Sequence, residues 1–200
     1  MRKNLSRLLL KALGGFLIGL AVWGGLSAPY TRLLGFLTET AVRVAERPAA
    51  TRLTPSGTLL IVDRSDLPPS PSGRFAVEST DITFNLIILI TLFAASDRAF
   101  SDRNIFGFAA AALGLVFVHV AAVLSFVEAY YALSLGAWST ANYGSFARLF
   151  WGRAPYFYSI IGVYGSAVAL WWLFRPDPHS ATKPPRLARG ATRASKRVHV

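Results

Sequence analysis

Among the 200 residues, two ionisable side chains sit where apolar sequence makes them costly: His119, inside the run Ile105–Val127, and Glu128, just past its end. Ionisable groups in membrane-length apolar segments are functional-site candidates. An imidazole could pass a proton, and a carboxylate could pair with a cation or serve as a base. A helix turns about 100° per residue, so nine residues place the two about 180° apart. One helix alone therefore cannot join them as an acid–base pair or as ligands of one metal. The plainer readings are a neutral His119 imidazole hydrogen-bonded to a neighbouring helix, and a Glu128 ion pair with Arg148 or Arg153 that holds down the following loop. Asn85 could bridge helices through its amide, while His179 and His199 lie in a polar tail and carry no signal. No nucleophile elbow, HExxH, phosphate-cradling glycine loop or carboxylate cluster is present. The absence of cysteine removes disulfides, thiol nucleophiles and thiolate metal sites. No catalytic residue, metal or cofactor is expected.

The elements that must position these groups are four apolar stretches: Leu8–Ser27, Ile82–Ser96, Ile105–Val127 and Tyr156–Phe174. Three approach the ~20 residues that cross a bilayer core as helix, and the second is shorter but free of charge. In lipid an isolated strand would leave its backbone unpaired, so each is expected to be helical. The predicted fold class is an all-α integral membrane protein with four transmembrane helices. The first run is too long for a signal-peptide core, and Leu26 and Pro29 spoil the cleavage site, so an uncleaved signal anchor is expected.

Charge orients this bundle. There are 21 Lys+Arg against 10 Asp+Glu. Arg2, Lys3, Arg7 and Lys11 precede or open the first helix; Arg98 and Arg103 lie between the second and third; seven more basic residues follow the fourth. The segment between the first two helices is balanced by its acids. The positive-inside rule puts both termini in the cytoplasm, facing anionic headgroups. No basic surface interleaved with aromatics accompanies the charge, so nucleic acid is not an expected partner; the lipid bilayer is.

The domain reading follows. Residues 1–27 form the cytoplasmic start and first helix. Residues 28–81 form an extracytoplasmic insert, with an amphipathic helix over 29–47 ended by Pro48. In it Leu33, Leu34, Phe36, Leu37, Ala41, Val44 and Ala45 make the apolar face, and the helix either lies on the membrane or continues the first span. Two short strands around Pro55-Ser56-Gly57, a proline-rich linker and a third strand near 74–79 complete the insert, which is too small to fold alone. Residues 82–174 hold the other three helices and an aromatic outer loop at 129–155, with a short interfacial helix over 141–152. Residues 175–200 read as a disordered basic tail. Gly15 and Gly19 make a GxxxG spacing that admits a close helix, although glycine is also simply common in membrane helices. Trp23 suits an interfacial anchor.

The stretch Val118-His119-Val120 through Glu128-Ala129-Tyr130-Tyr131-Ala132-Leu133, then Trp138-Ser139 and Phe146-Ala147-Arg148-Leu149-Phe150-Trp151-Gly152, resembles the exosortase H-associated membrane proteins. So does Leu26-Ser27-Ala28-Pro29-Tyr30 after one helix and before a small insert. The resemblance implies a small multi-pass protein of the bacterial inner membrane that accompanies a sorting transpeptidase or its substrate. Exosortases use Cys, Arg and His. This chain has Arg148 and His119 but no Cys, so the resemblance implies a non-catalytic accessory subunit. On this reading His119, Glu128, Trp138, Arg148, Trp151 and Arg153 are the candidate partner or substrate contacts. The alternative is a small membrane enzyme or transporter acting on a lipid-linked substrate, with His119 handling the proton.

Overall fold

A computed structural model describes residues 2–46, 49–66, 75–96 and 99–175. The proline-rich linker, Pro48 and the basic tail beyond Arg175 lie outside the described residues. The chain is mostly helical with one small antiparallel sheet. Its elements are α1 (Arg2–Ala45), β1 (Thr51–Ser56), β2 (Leu59–Arg64), β3 (Phe75–Glu78), α2 (Ser79–Thr83), α3 (Asn85–Ala95), α4 (Asp102–Leu133), α5 (Ala137–Asn142), α6 (Ser145–Phe157), a π turn (Tyr158–Gly162) and α7 (Val163–Phe174).

Three helical stretches are long and apolar enough to cross a membrane: Leu5–Val44, Asp102–Leu133 and Ser145–Phe174. The second predicted span is shorter and is part of the Ser79–Ala95 unit, which is interrupted at Phe84. The helices alternate in direction. Gly15 meets Ala94 and Thr91, Gly19 meets Ile87, and Trp23 reaches Thr83, so α1 and α3 run antiparallel. Gly107 lies against Phe174 and Gly114 against Leu170, which sets α4 antiparallel to α7 in the same way. The Gly15/Gly19 spacing is thus a seam inside the molecule. A Cβ on Gly19 would lie 3.2 Å from the Ile87 Cα, in backbone that cannot step aside.

Of the two courses open to the segment after Ser27, α1 takes the continuous one. It continues through Pro29 for 44 residues, roughly 66 Å at 1.5 Å per residue and twice a ~30 Å hydrocarbon core. The Thr31 hydroxyl donates back to the Ser27 carbonyl at 2.8 Å beside the proline. In its C-terminal half Leu34 and Val42 are buried together with Thr31 and Thr38, whereas Leu33, Phe36 and Val44 of the apolar face are exposed. Small side chains let the sheet lie close: a Cβ on Gly35 would come within 2.8 Å of Leu60.

The sheet has the order β1-β2-β3, and both pairs are antiparallel. Gly57, at φ 63°, makes the tight β1–β2 turn that a side chain would strain. Alternation aims Leu53, Leu60, Val62 and Val77 inward, into one cluster with Leu34, Val123, Val127 and Tyr131. The insert therefore has no core of its own. Carboxylates in and just after α1 finish its edge strand: Glu39 accepts from Leu53 N and Glu46 from Thr51 N, both at 2.9 Å. Such covering removes an open strand edge.

The aromatic outer loop is more ordered than expected. The interfacial helix predicted over 141–152 is replaced by two helices. α5 follows Gly136 (φ 60°) and ends at Tyr143-Gly144; α6 then runs unbroken through the π turn into α7. Pro155 lacks the N–H that the Trp151 carbonyl would accept, and Val163 N bonds to Tyr158 O across the wider turn. Gly162 makes room for the Tyr158 ring, which a Cβ there would strike.

Candidate functional site

The α4 sequence puts His119 on the face that turns inward with Ala122, Val123 and Leu115, and it is fully buried. Its two ring nitrogens are both engaged. Nε2 lies 2.6 Å from Asn85 Oδ1, and Nδ1 lies 2.7 Å from the Tyr30 hydroxyl. The Asn85 amide nitrogen donates to Ser166 Oγ at 3.1 Å and to the Tyr158 hydroxyl at 3.4 Å, and that hydroxyl donates to the Ile82 carbonyl at 2.7 Å. With the Asn85 amide nitrogen donating to Ser166 and Tyr158, Nε2–H donates to its Oδ1. Nδ1 faces the Tyr30 hydroxyl, and the cost of burying a charge among uncharged groups favours the neutral ring that accepts from it. The chain Tyr30–His119–Asn85–Tyr158 ties α1, α4, α3 and the π turn together, and Ser166 adds α7. It holds no charge, and every acceptor of the ring is used by the protein. The geometry realises the plainer reading of His119, with Asn85 as the bridge.

Glu128 lies in a second group. Its carboxylate accepts from the Tyr143 hydroxyl at 2.6 Å. No ion pair joins it to Arg148 or Arg153, contrary to the expectation from proximity along the chain. α5 intervenes and brings Tyr143 over Glu128 first. Burial, and then the bond to Glu128, push the Tyr143 hydroxyl above its ordinary pKa. The nearby cation is Arg64, at the end of β2. Its guanidinium forks onto Asp66 at 2.7 and 3.2 Å and reaches Glu46 at 2.9 Å. It also lies 4.5 Å from the Trp138 ring centroid and 4.9 Å from that of Tyr131. Burial lowers the pKa of this guanidinium, but the Asp66 hydrogen bond and the charges of Glu46 and Asp66 outweigh that and raise it. Trp138 is therefore already occupied within the chain. Tyr131 donates or accepts with Thr51 Oγ1 at 2.8 Å, and Ser139 Oγ donates to the Tyr131 carbonyl at 2.6 Å. This group locks the sheet, α4 and α5 into one headpiece, and Tyr130 stacks flat on Phe75 at 4.2 Å.

Arg148, Trp151 and Arg153 form a third group, on α6. The Arg148 Nε is buried with no hydrogen-bond partner. Trp151 is half-buried with its ring edge-on to Phe150 at 4.9 Å, and Arg153 is exposed. Around Arg153 lie Phe146, Leu149, Phe150 and Phe157, all more than half exposed along one face.

The six sequence-selected residues thus fall into three places: His119 alone in the buried network, Glu128 and Trp138 around Arg64 and Tyr143, and Arg148, Trp151 and Arg153 on α6. Sequence reasoning missed Tyr30, Tyr158, Ser166 and Arg64. Their partners lie across as many as 89 residues, and no spacing within one segment signals them. Among the described residues, no group of three His, Cys, Asp or Glu is placed to hold a metal. Comparison with protein-family models, curated proteins and solved structures finds no match to this chain.

Proposed function

We propose that this chain is a non-catalytic accessory subunit of the bacterial inner membrane that binds another membrane protein through the outer end of α6. The observation that carries the reading is the exposed stripe Phe146, Leu149, Phe150 and Phe157 around Arg153. It sits at the top of a helix whose 30 residues, roughly 45 Å, already span a bilayer with its headgroups. A surface of this kind suits a partner that reaches out of the membrane beside it. In this reading the chain crosses four times, with Ser79–Ala95 as the fourth, short span and both termini cytoplasmic. Its apolar sequence and its antiparallel packing on α1 support that topology. The exosortase-type sorting system as the assembly it serves rests on the sequence resemblance alone.

The alternative, a membrane enzyme or transporter using His119, draws no support from a ring enclosed by uncharged partners with both nitrogens occupied. Purification of the tagged chain in mild detergent from its host tests the proposal. A sorting transpeptidase or its substrate should co-purify stoichiometrically, and Phe146→Ser/Phe150→Ser should lose it while keeping the native helical content. Retention of the partner by that variant would refute α6 as the contact. Recovery of the wild-type chain without either protein would refute the accessory role.

A further inference from the structure

A cleft of about 730 Å³, lined by none of the residues of the α6 stripe, is within the size range of small-ligand sites. Its walls change chemistry with depth. Trp23, Phe84, Phe126 and Tyr164 line one part, and β3 and the start of α2 bring Glu78 and Asp81 to the other. Tyr164 is ten residues before Phe174, or roughly 15 Å along the helix, which is well inside a hydrocarbon core. Glu78 caps the Ser79–Ala95 unit and Asp81 lies in its first turn, before the apolar run that begins at Ile82. The cleft opens at the surface of the apolar helices, where the Tyr164 that lines it is more than half exposed.

The charge of the cleft runs against that of the chain. In a protein of net charge +11, no Lys or Arg lines it among the described residues. Asp81 is exposed and forms no ion pair among the described residues. Hydrogen bonds from Thr80 hold the Glu78 carboxylate below its usual pKa, so it is ionised at neutral pH. An ammonium group beside Asp81 would also face aromatic rings, which attract cations. A helix about 10 Å across fills roughly 420 Å³ per turn, so the cleft would take less than two turns of a peptide helix. A single lipid chain with its headgroup suits both the volume and the depth gradient.

We infer that this cleft binds an amine-bearing membrane lipid, with the ammonium headgroup between Asp81 and the aromatic rim and one chain laid along Trp23 and Tyr164. The inference stands apart from the partner proposed for α6, so either can fail alone. Native mass spectrometry of the full chain, released from detergent and titrated with phosphatidylethanolamine or phosphatidylglycerol of identical chains, tests it. The two lipids share the phosphate and differ in the amine. The wild type should retain the ethanolamine lipid roughly fivefold better, the scale of one exposed ion pair. Asp81→Asn, at an exposed position in the first turn of α2, should abolish that preference, with circular dichroism reporting an unchanged fold. Trp23→Phe should weaken the binding of both lipids. Equal retention of the two lipids by the wild type would overturn the inference, as would a preference that survives Asp81→Asn.

Discussion

The Tyr30 hydroxyl stands 2.7 Å from Nδ1 of His119, so a side chain one residue past a proline in the first helix closes the ring of a histidine on the fourth. Because Asn85 takes the other nitrogen, loss of Tyr30 leaves a buried acceptor with nothing to accept. Tyr30→Phe should cost about 1–3 kcal/mol, the usual penalty for orphaning a buried polar group. Thermal unfolding in detergent, followed by circular dichroism, checks this. An unchanged midpoint would mean that water reaches His119 and that the ring is open to chemistry after all.

The α1–α3 seam gives an internal comparison. Gly19 faces the Ile87 backbone, while a Cβ on Gly24 would meet nothing within 4 Å. Gly19→Leu should destabilise the fold by about 1–3 kcal/mol through overpacking, and Gly24→Leu should be neutral or slightly stabilising. If Gly19→Leu instead left stability intact and altered oligomeric mass, the GxxxG face would serve contacts between copies.

Arg64 tests the headpiece. Lysine in its place keeps the charge but loses the fork onto Asp66 and the guanidinium contact with the Trp138 ring. Arg64→Lys should lower the stability of the outer region by about 1–3 kcal/mol, read as faster amide exchange in β2 and α5 with α3 and α7 unaffected. Uniform acceleration along the chain would show that the headpiece and the helices unfold together.

Tyr143 carries a pH dependence with a definite sign. Its folded-state pKa is raised, so the neutral phenol is favoured in the native protein. The contribution is fully present below the ordinary tyrosine pKa of about 10 and declines as pH rises beyond it. Tyr143→Phe should therefore lower stability at pH 7 and flatten its fall above pH 10. Parallel alkaline unfolding curves for the two proteins would contradict the Glu128 contact.

Hydropathy sufficed to find every long helix, and alternation around Gly57 sufficed to find the strands. Both signals are local, and burial acts on them residue by residue. What was not legible has a different cause. The segment after Ser27 could lie on the membrane or continue the first span, and it continues: Pro29 stands about two-thirds of the way along α1 without ending it, with the sheet packed against the continuation. Which side of that continuation meets the rest of the chain depends on partners far along the sequence, such as the strand N–H groups that bond to Glu39 and Glu46. Glu128 was assigned the nearest arginines along the chain, but the charge beside it belongs to Arg64, which is 64 residues earlier and arrives only with the sheet. His119 was recognisable as costly. The identity of its partners was not, because Tyr30, Asn85 and Tyr158 become neighbours only when four helices pack.

The π turn has a mechanical consequence. By carrying α6 into α7 without a break, it makes one continuous helix packed along α4, with Phe146 exposed near its far end. At the turn the Tyr158 hydroxyl donates to the Ile82 carbonyl and accepts from Asn85. The place where that helix widens is thus also where it is tied to the hydrogen-bonded centre of the molecule.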